Sequence, residues 1–247
     1  GSVYEVQRNP ITQKSLKYLD QHDNPTSFDS SSNYVTENWL YNIPNPDNGG
    51  STTITSPDGG VVTEWTFNSS GGGNGLSGGN VWRANLIYKS ERPDGTVVER
   101  RWLPNTPQTP LLWVDLNPYV KTEYLSLKNA SGTLVKTAIT DYNYDKNGNL
   151  MQRAEYDFVD YASIPRDSYG NPTGLPAGAV PKKVTVNTYS NPTPDASDKT
   201  TVTPNAYNKP GSPNVRIAVA STEARSGFSD TTALTRSEFT YDNVLTT

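Results

Sequence analysis

The feature that most constrains this chain is a turn that it repeats. Ser56-Pro57-Asp58-Gly59-Gly60 runs straight into Val61-Val62-Thr63-Glu64-Trp65, and Arg92-Pro93-Asp94-Gly95-Thr96 runs into Val97-Val98-Glu99-Arg100-Arg101. Asn129-Ala130-Ser131-Gly132-Thr133 then runs into Leu134-Val135-Lys136-Thr137. The glycines Gly59, Gly95 and Gly132 stand 36 and 37 residues apart. That spacing marks a degenerate internal repeat whose unit is a strand, a glycine turn and a returning strand. A fourth turn, Asp145-Lys146-Asn147-Gly148-Asn149, carries an Asn-Gly pair, which accepts positive φ at low cost and closes a hairpin.

Between the turns, apolar and polar residues alternate with the period of a strand. Val61, Thr63, Trp65 and Phe67 share one parity, as do Trp82, Ala84, Leu86 and Tyr88. Leu134, Ala138, Tyr142 and Tyr144 form a predicted apolar face, followed by Leu150, Ala154, Tyr156 and Phe158. Val184 and Val186, then Val215, Ile217 and Val219, then Leu234 to Tyr241 supply the later strands. Gly, Pro, Ser, Thr and Asn make up 46% of the 247 residues, a composition that breaks long helices. The expected fold is therefore all-β: consecutive antiparallel hairpins forming a curved sheet or partial β-shell with long polar loops. Residues 1–247 read as one continuous β region with insertions, and the Pro- and Gly-rich stretch 164–181 reads as a surface loop and a sub-boundary.

Composition also removes several chemistries. With no cysteine and one histidine, the chain has no disulfide framework, no thiol nucleophile and no Cys/His zinc site. A net charge of −4 argues against an electrostatic nucleic-acid binder. The longest apolar run, Leu111 to Val114, is too short for membrane insertion. Gly1-Ser2 reads as a cloning remnant, which places any export signal outside this sequence.

The stretch Tyr144-Asp145-Lys146-Asn147-Gly148-Asn149-Leu150 resembles the hallmark hairpin of the bacterial Rhs/YD-repeat family. That hallmark is Tyr-Asp, two residues, Gly, a polar residue, then Leu. Tyr241-Asp242 echoes its opening, and the turns at Gly59, Gly95 and Gly132 are similar to those that begin such repeats. Each motif residue also has a folding role. Tyr144 can lay its ring on a neighbouring hairpin, Asp145 can bond N–H groups of its own turn, and Gly148 supplies the positive φ. The resemblance implies a spiralling antiparallel sheet that serves as scaffold, spacer or encapsulating wall in a large exported, extracellular or cell-surface protein. Its partners would be the rest of a longer polypeptide, of which this chain would be a fragment, and an enclosed C-terminal toxin domain. No cofactor, metal or catalytic centre is expected.

Other chemistry competes weakly with that expectation. Gly73 to Gly78 fits G-x-G-x-x-G, yet a strand pattern follows it where a phosphate cradle needs a helix. In the loop at Asp145, Gly falls at the fourth position and Tyr156 at the twelfth, against the sixth-position Gly and twelfth-position Glu of a calcium loop. His22 lies on a polar loop with no nucleophile motif. Glu64, Glu99, Glu123 and Glu155 lie on or near strands, where two can face each other as a glycosidase pair or pair with Arg100, Arg101 and Arg153. Of Trp39, Trp65, Trp82, Trp102 and Trp113, the pattern favours core packing, with Trp102 and Trp113 the candidates for stacking on a glycan in a carbohydrate-binding or adhesive module.

Overall fold

The computed structural model describes residues 13–19, 34–43, 50–67, 82–104, 118–145, 148–189 and 218–240. Among the described residues, twelve strands lie side by side in strict chain order in one antiparallel sheet that does not close on itself. They are β1 (Gln13–Leu19), β2 (Tyr34–Asn42), β3 (Gly50–Thr55), β4 (Val61–Thr66), β5 (Ile87–Glu91), β6 (Val97–Leu103), β7 (Tyr119–Lys128), β8 (Leu134–Tyr144), β9 (Leu150–Asp160), β10 (Lys183–Tyr189), β11 (Val219–Arg225) and β12 (Thr235–Glu238). The expected all-β chain of hairpins is the observed fold. One predicted strand is not: residues 82–86 form tight turns in which Asn85 takes φ 65°, and strand structure begins only at Ile87.

Four of the hairpin turns are copies of one device. In each, the fourth residue's N–H donates to the first residue's carbonyl, and the first residue's N–H donates to the carbonyl of the fifth. Gly59 to Ser56, Gly95 to Arg92, Gly132 to Asn129 and Gly148 to Asp145 make the first bond at 2.9–3.1 Å. The glycine sits at φ between 80° and 84° in all four, the conformation a side chain resists. A carboxylate or amide then holds the loop from one of two places. With Pro second, Asp58 or Asp94 sits third and accepts the fifth residue's N–H. Without that Pro, Asn129 or Asp145 sits first and does the same. Asp145, buried in its turn, also accepts from the Asn149 side chain at 2.8 Å.

A fifth copy was concealed in the stretch read as a surface loop. Asp167-Ser168-Tyr169-Gly170-Asn171 repeats the backbone bonds, the glycine at φ 82° and the Asp-to-Asn bond. It closes a miniature hairpin through the bridge Arg166–Pro172, within a 161–182 strap that joins β9 to β10 and folds back over the sheet. Ile164 and three of the prolines, Pro172, Pro176 and Pro181, are buried. The prolines that suggested an exposed loop are packing residues here.

The strap decides which face is the core. By register, Val97 and Glu99 of β6, Tyr124 of β7, Ile139 of β8, Ala154 and Tyr156 of β9 and Val184 of β10 lie on one face. Tyr124, Ile139, Ala154, Tyr156 and Val184 cluster with Ile164, and Leu175 and Ala179 of the strap pack on them. In β8 this reverses the sequence expectation: Ala138, Tyr142 and Tyr144 take the other face, and the core uses Ile139 beside the buried Thr137. In β9 Ala154 and Tyr156 point inward as expected. A register shift opposite Thr137–Ile139 then turns Val159 toward the core and leaves Phe158 48% exposed.

Candidate functional site

The most elaborate side-chain cluster among the described residues fastens the strap to the sheet. Glu99 points from β6 into the covered face and its side chain is 8% exposed. Arg166 of the strap meets it with both terminal nitrogens, Nη1 to Oε1 and Nη2 to Oε2 each at 2.7 Å. Nη1 also donates to the Gly170 carbonyl of the fifth turn, and the guanidinium lies 4.4 Å from the Tyr161 ring centroid. Burial works to discharge this arginine, but the Glu99 carboxylate outweighs it and holds the pKa above its ordinary value. One strand away, the Tyr124 hydroxyl donates to the Gly174 carbonyl at 2.9 Å. Burial raises its pKa to about 12. Further along the same face, Asp141 accepts from Lys121 at 2.7 Å and from the Thr122 hydroxyl at 2.8 Å. Both Glu99 oxygens and both Asp141 oxygens are thus occupied by the chain's own donors. The cluster can position a strap, and it offers no free acid and base to a substrate.

The carboxylates singled out as a catalytic pair are dispersed. Glu99 faces the core. Glu123 and Glu155 lie on the opposite face with Thr140 between them in the register, Glu123 beside Arg100 at 3.2 Å and Glu155 beside Arg153 at 2.9 Å. The arginines proposed as partners from sequence are thus the partners for two of the glutamates, while the partner of Glu99 comes from the strap. Among the described residues, no three of His, Asp and Glu converge on a common point. His22, Gly73 to Gly78, Trp113, Tyr241 and Asp242 lie outside the described residues.

The four described tryptophans are half-buried, which for Trp39, Trp65 and Trp82 falls short of the expected core packing. Three lie under a cation: Lys14 over Trp39 at 5.8 Å, Lys89 over Trp65 at 4.5 Å and Arg83 over Trp82 at 5.3 Å. Lys14–Trp39 and Trp65–Lys89 are directly opposed cross-strand pairs, so the ring is covered by a neighbour's aliphatic stem and charged head. Trp102 instead donates its indole N–H to the Ile87 carbonyl at 2.9 Å, which fixes the ring across β5. Tyr144, the motif tyrosine, lies edge-on to Tyr119 of β7 at 5.1 Å and beside Tyr142 at 6.2 Å. Burial first, and the neighbouring tyrosines second, raise its pKa. This is the ring-on-neighbour packing that the motif led us to expect.

No protein-family model matches this sequence, and no curated protein does either.

Proposed function

We propose that this chain is a structural β-repeat segment: a scaffold, spacer or wall portion of a large exported bacterial protein of the Rhs/YD-repeat kind, without a catalytic centre of its own. The observation that carries the reading is the turn. Among the described residues one five-residue hydrogen-bonding device occurs five times, and four of its copies join strands that follow one another across the sheet in chain order. A sheet assembled this way lengthens by adding units, as repeat architectures do. The Tyr144–Asn149 unit fits the same reading residue by residue. Its tyrosine packs on the preceding hairpin, its aspartate holds its own turn, and its glycine takes the positive φ. The partners proposed are neighbouring repeats of the same polypeptide and a domain they enclose, outside the cell or at its surface.

Imaging of the full parent protein by electron cryomicroscopy tests this. The expected result is this sheet continuing into flanking hairpins around or beside another domain. A free-standing sheet that binds soluble glycans saturably, and loses that binding in Trp102→Ala, would replace the structural reading with the carbohydrate-binding one.

A further inference from the structure

Among the described residues, the two outer strands of the sheet differ in their edges. Strand β1 has two lysines and no acidic residue in its sequence, a like-charge edge of the kind that repels strand addition. Strand β12 has Arg236 and Glu238 two positions apart on one face, within 2.6 Å of each other, with Arg236 also 3.3 Å from Glu223 of β11; all four residues of the strand are exposed, and Leu234 and Phe239 at its ends are 68% and 47% exposed. Its pairing with β11 fixes which backbone groups are used. Phe239 N–H donates to Ala220 at 2.9 Å, and Ser237 and Thr235 lie opposite Thr222 and Ala224. Residues 235, 237 and 239 therefore turn their backbone groups toward β11, and Arg236 and Glu238 turn theirs outward.

We infer that the β12 edge pairs antiparallel with β12 of a second copy of this chain, in the register that sets Arg236 opposite Glu238 of that copy and Ser237 opposite its own equivalent. Outward residues must face outward residues across an antiparallel ladder, which leaves few two-fold registers. Setting Arg236 or Glu238 against itself opposes like charges. The remaining register opposes unlike charges on both sides of the axis, lets Arg236 and Glu238 exchange backbone hydrogen bonds, and lays Phe239 over Thr235 of the other strand. A strand this short buries less than the standard interface, so the dimer is weak and concentration-dependent. The competing occupant is a further strand of the same chain, which would leave the protein monomeric.

Sedimentation equilibrium over a concentration series tests the pairing. The expected result is reversible dimerisation that weakens at least tenfold in Arg236→Glu and in Glu238→Arg, each of which opposes like charges. A one-to-one mixture of the two variants should associate again, because it opposes unlike ones. Because the chain has no cysteine, Ser237→Cys gives an independent readout. At a non-hydrogen-bonded pair on the axis the two thiols meet within disulfide reach, and mild oxidation should yield a covalent dimer. A monomer at every concentration, association unchanged by either charge reversal, no recovery in the mixture, or no covalent dimer from Ser237→Cys would each overturn the inference.

Discussion

The hairpins β3–β4, β7–β8 and β8–β9 are built with the same turn and the same antiparallel ladder, yet of the two regions only the sheet from β6 to β9 has an interior. No residue of β3 or β4 is fully buried, and Val61 is 43% exposed. In β6 to β9, Val97, Tyr124, Ile139 and Ala154, all on the face the strap covers, are at most 1% exposed. The difference is the 161–182 strap, which gives one stretch of sheet a second layer. A single sheet layer stabilises itself through cross-strand pairs, each contributing about 0.2–1 kcal/mol. Trp65 under Lys89 is such a pair. A covered sheet adds burial of whole side chains, about 1.5–3 kcal/mol for each large apolar residue. The repeat therefore supplies the architecture, and the strap supplies the second layer under which whole side chains are buried.

The sharpest way to break this comparison is to release the strap. Arg166→Met leaves the Glu99 carboxylate buried without its partner, and the expected loss is about 3–5 kcal/mol in urea unfolding. Amide exchange should accelerate through β7–β9 and stay unchanged in β3–β4. Lys136→Met, at the exposed pair with Asp160, is the control and should cost under about 1 kcal/mol. Equal losses in the two variants would mean that the strap is incidental.

Next in size is the contrast between two isoleucines. Ile139→Ala, in the core cluster, should cost about 2–5 kcal/mol, and Ile54→Ala, on half-buried β3, about 1 kcal/mol. Differential scanning calorimetry of the two variants decides it.

Alkaline titration separates the regions without mutation. The folded pKa of Tyr124, about 12, lies above the ordinary tyrosine value of 10. The neutral phenol is therefore the form that folding favours. Its contribution is complete below pH 10 and is lost as the pH climbs toward 12, up to about 3 kcal/mol over two units. Tyr124→Phe should flatten that portion of the stability profile. An unchanged profile would show that the hydroxyl does not couple the strap to β7.

The turn itself gives a smaller effect. At Gly148 a side chain would meet nothing within 4 Å, so only the backbone at φ 82° resists substitution. Gly148→Val should cost about 1–3 kcal/mol, read as a lowered melting temperature. The smallest expected effect is zero: EDTA should leave the melting temperature where it is. A large drop would reveal a cation bound through carboxylates and carbonyls.

The sequence by itself determined the local chemistry. Gly59, Gly95, Gly132 and Gly148 had to sit in turns because a left-handed residue between alternating runs has few other places to go. The bond from the Asn149 N–H to Asp145 was legible for the same reason, since donor and acceptor lie within one five-residue turn. The identical signal at Asp167 to Asn171 was on the page too, hidden among prolines that resemble loop punctuation. Of the strap cluster, the sequence exposed Glu99 as a strand glutamate and nothing of Arg166, whose contact spans 67 positions. Alternation separates two faces of a strand without saying which is inside. In β8 the more apolar parity, Ala138 and Tyr142, lost to Thr137 and Ile139, because the strap lies over the latter. A single shift in β9 then exchanged Phe158 for Val159, since one extra residue inverts every side chain beyond it. Turn geometry is a contest among neighbours in sequence, whereas sidedness is set by whatever else the chain brings against the sheet, and only the tertiary structure decides that.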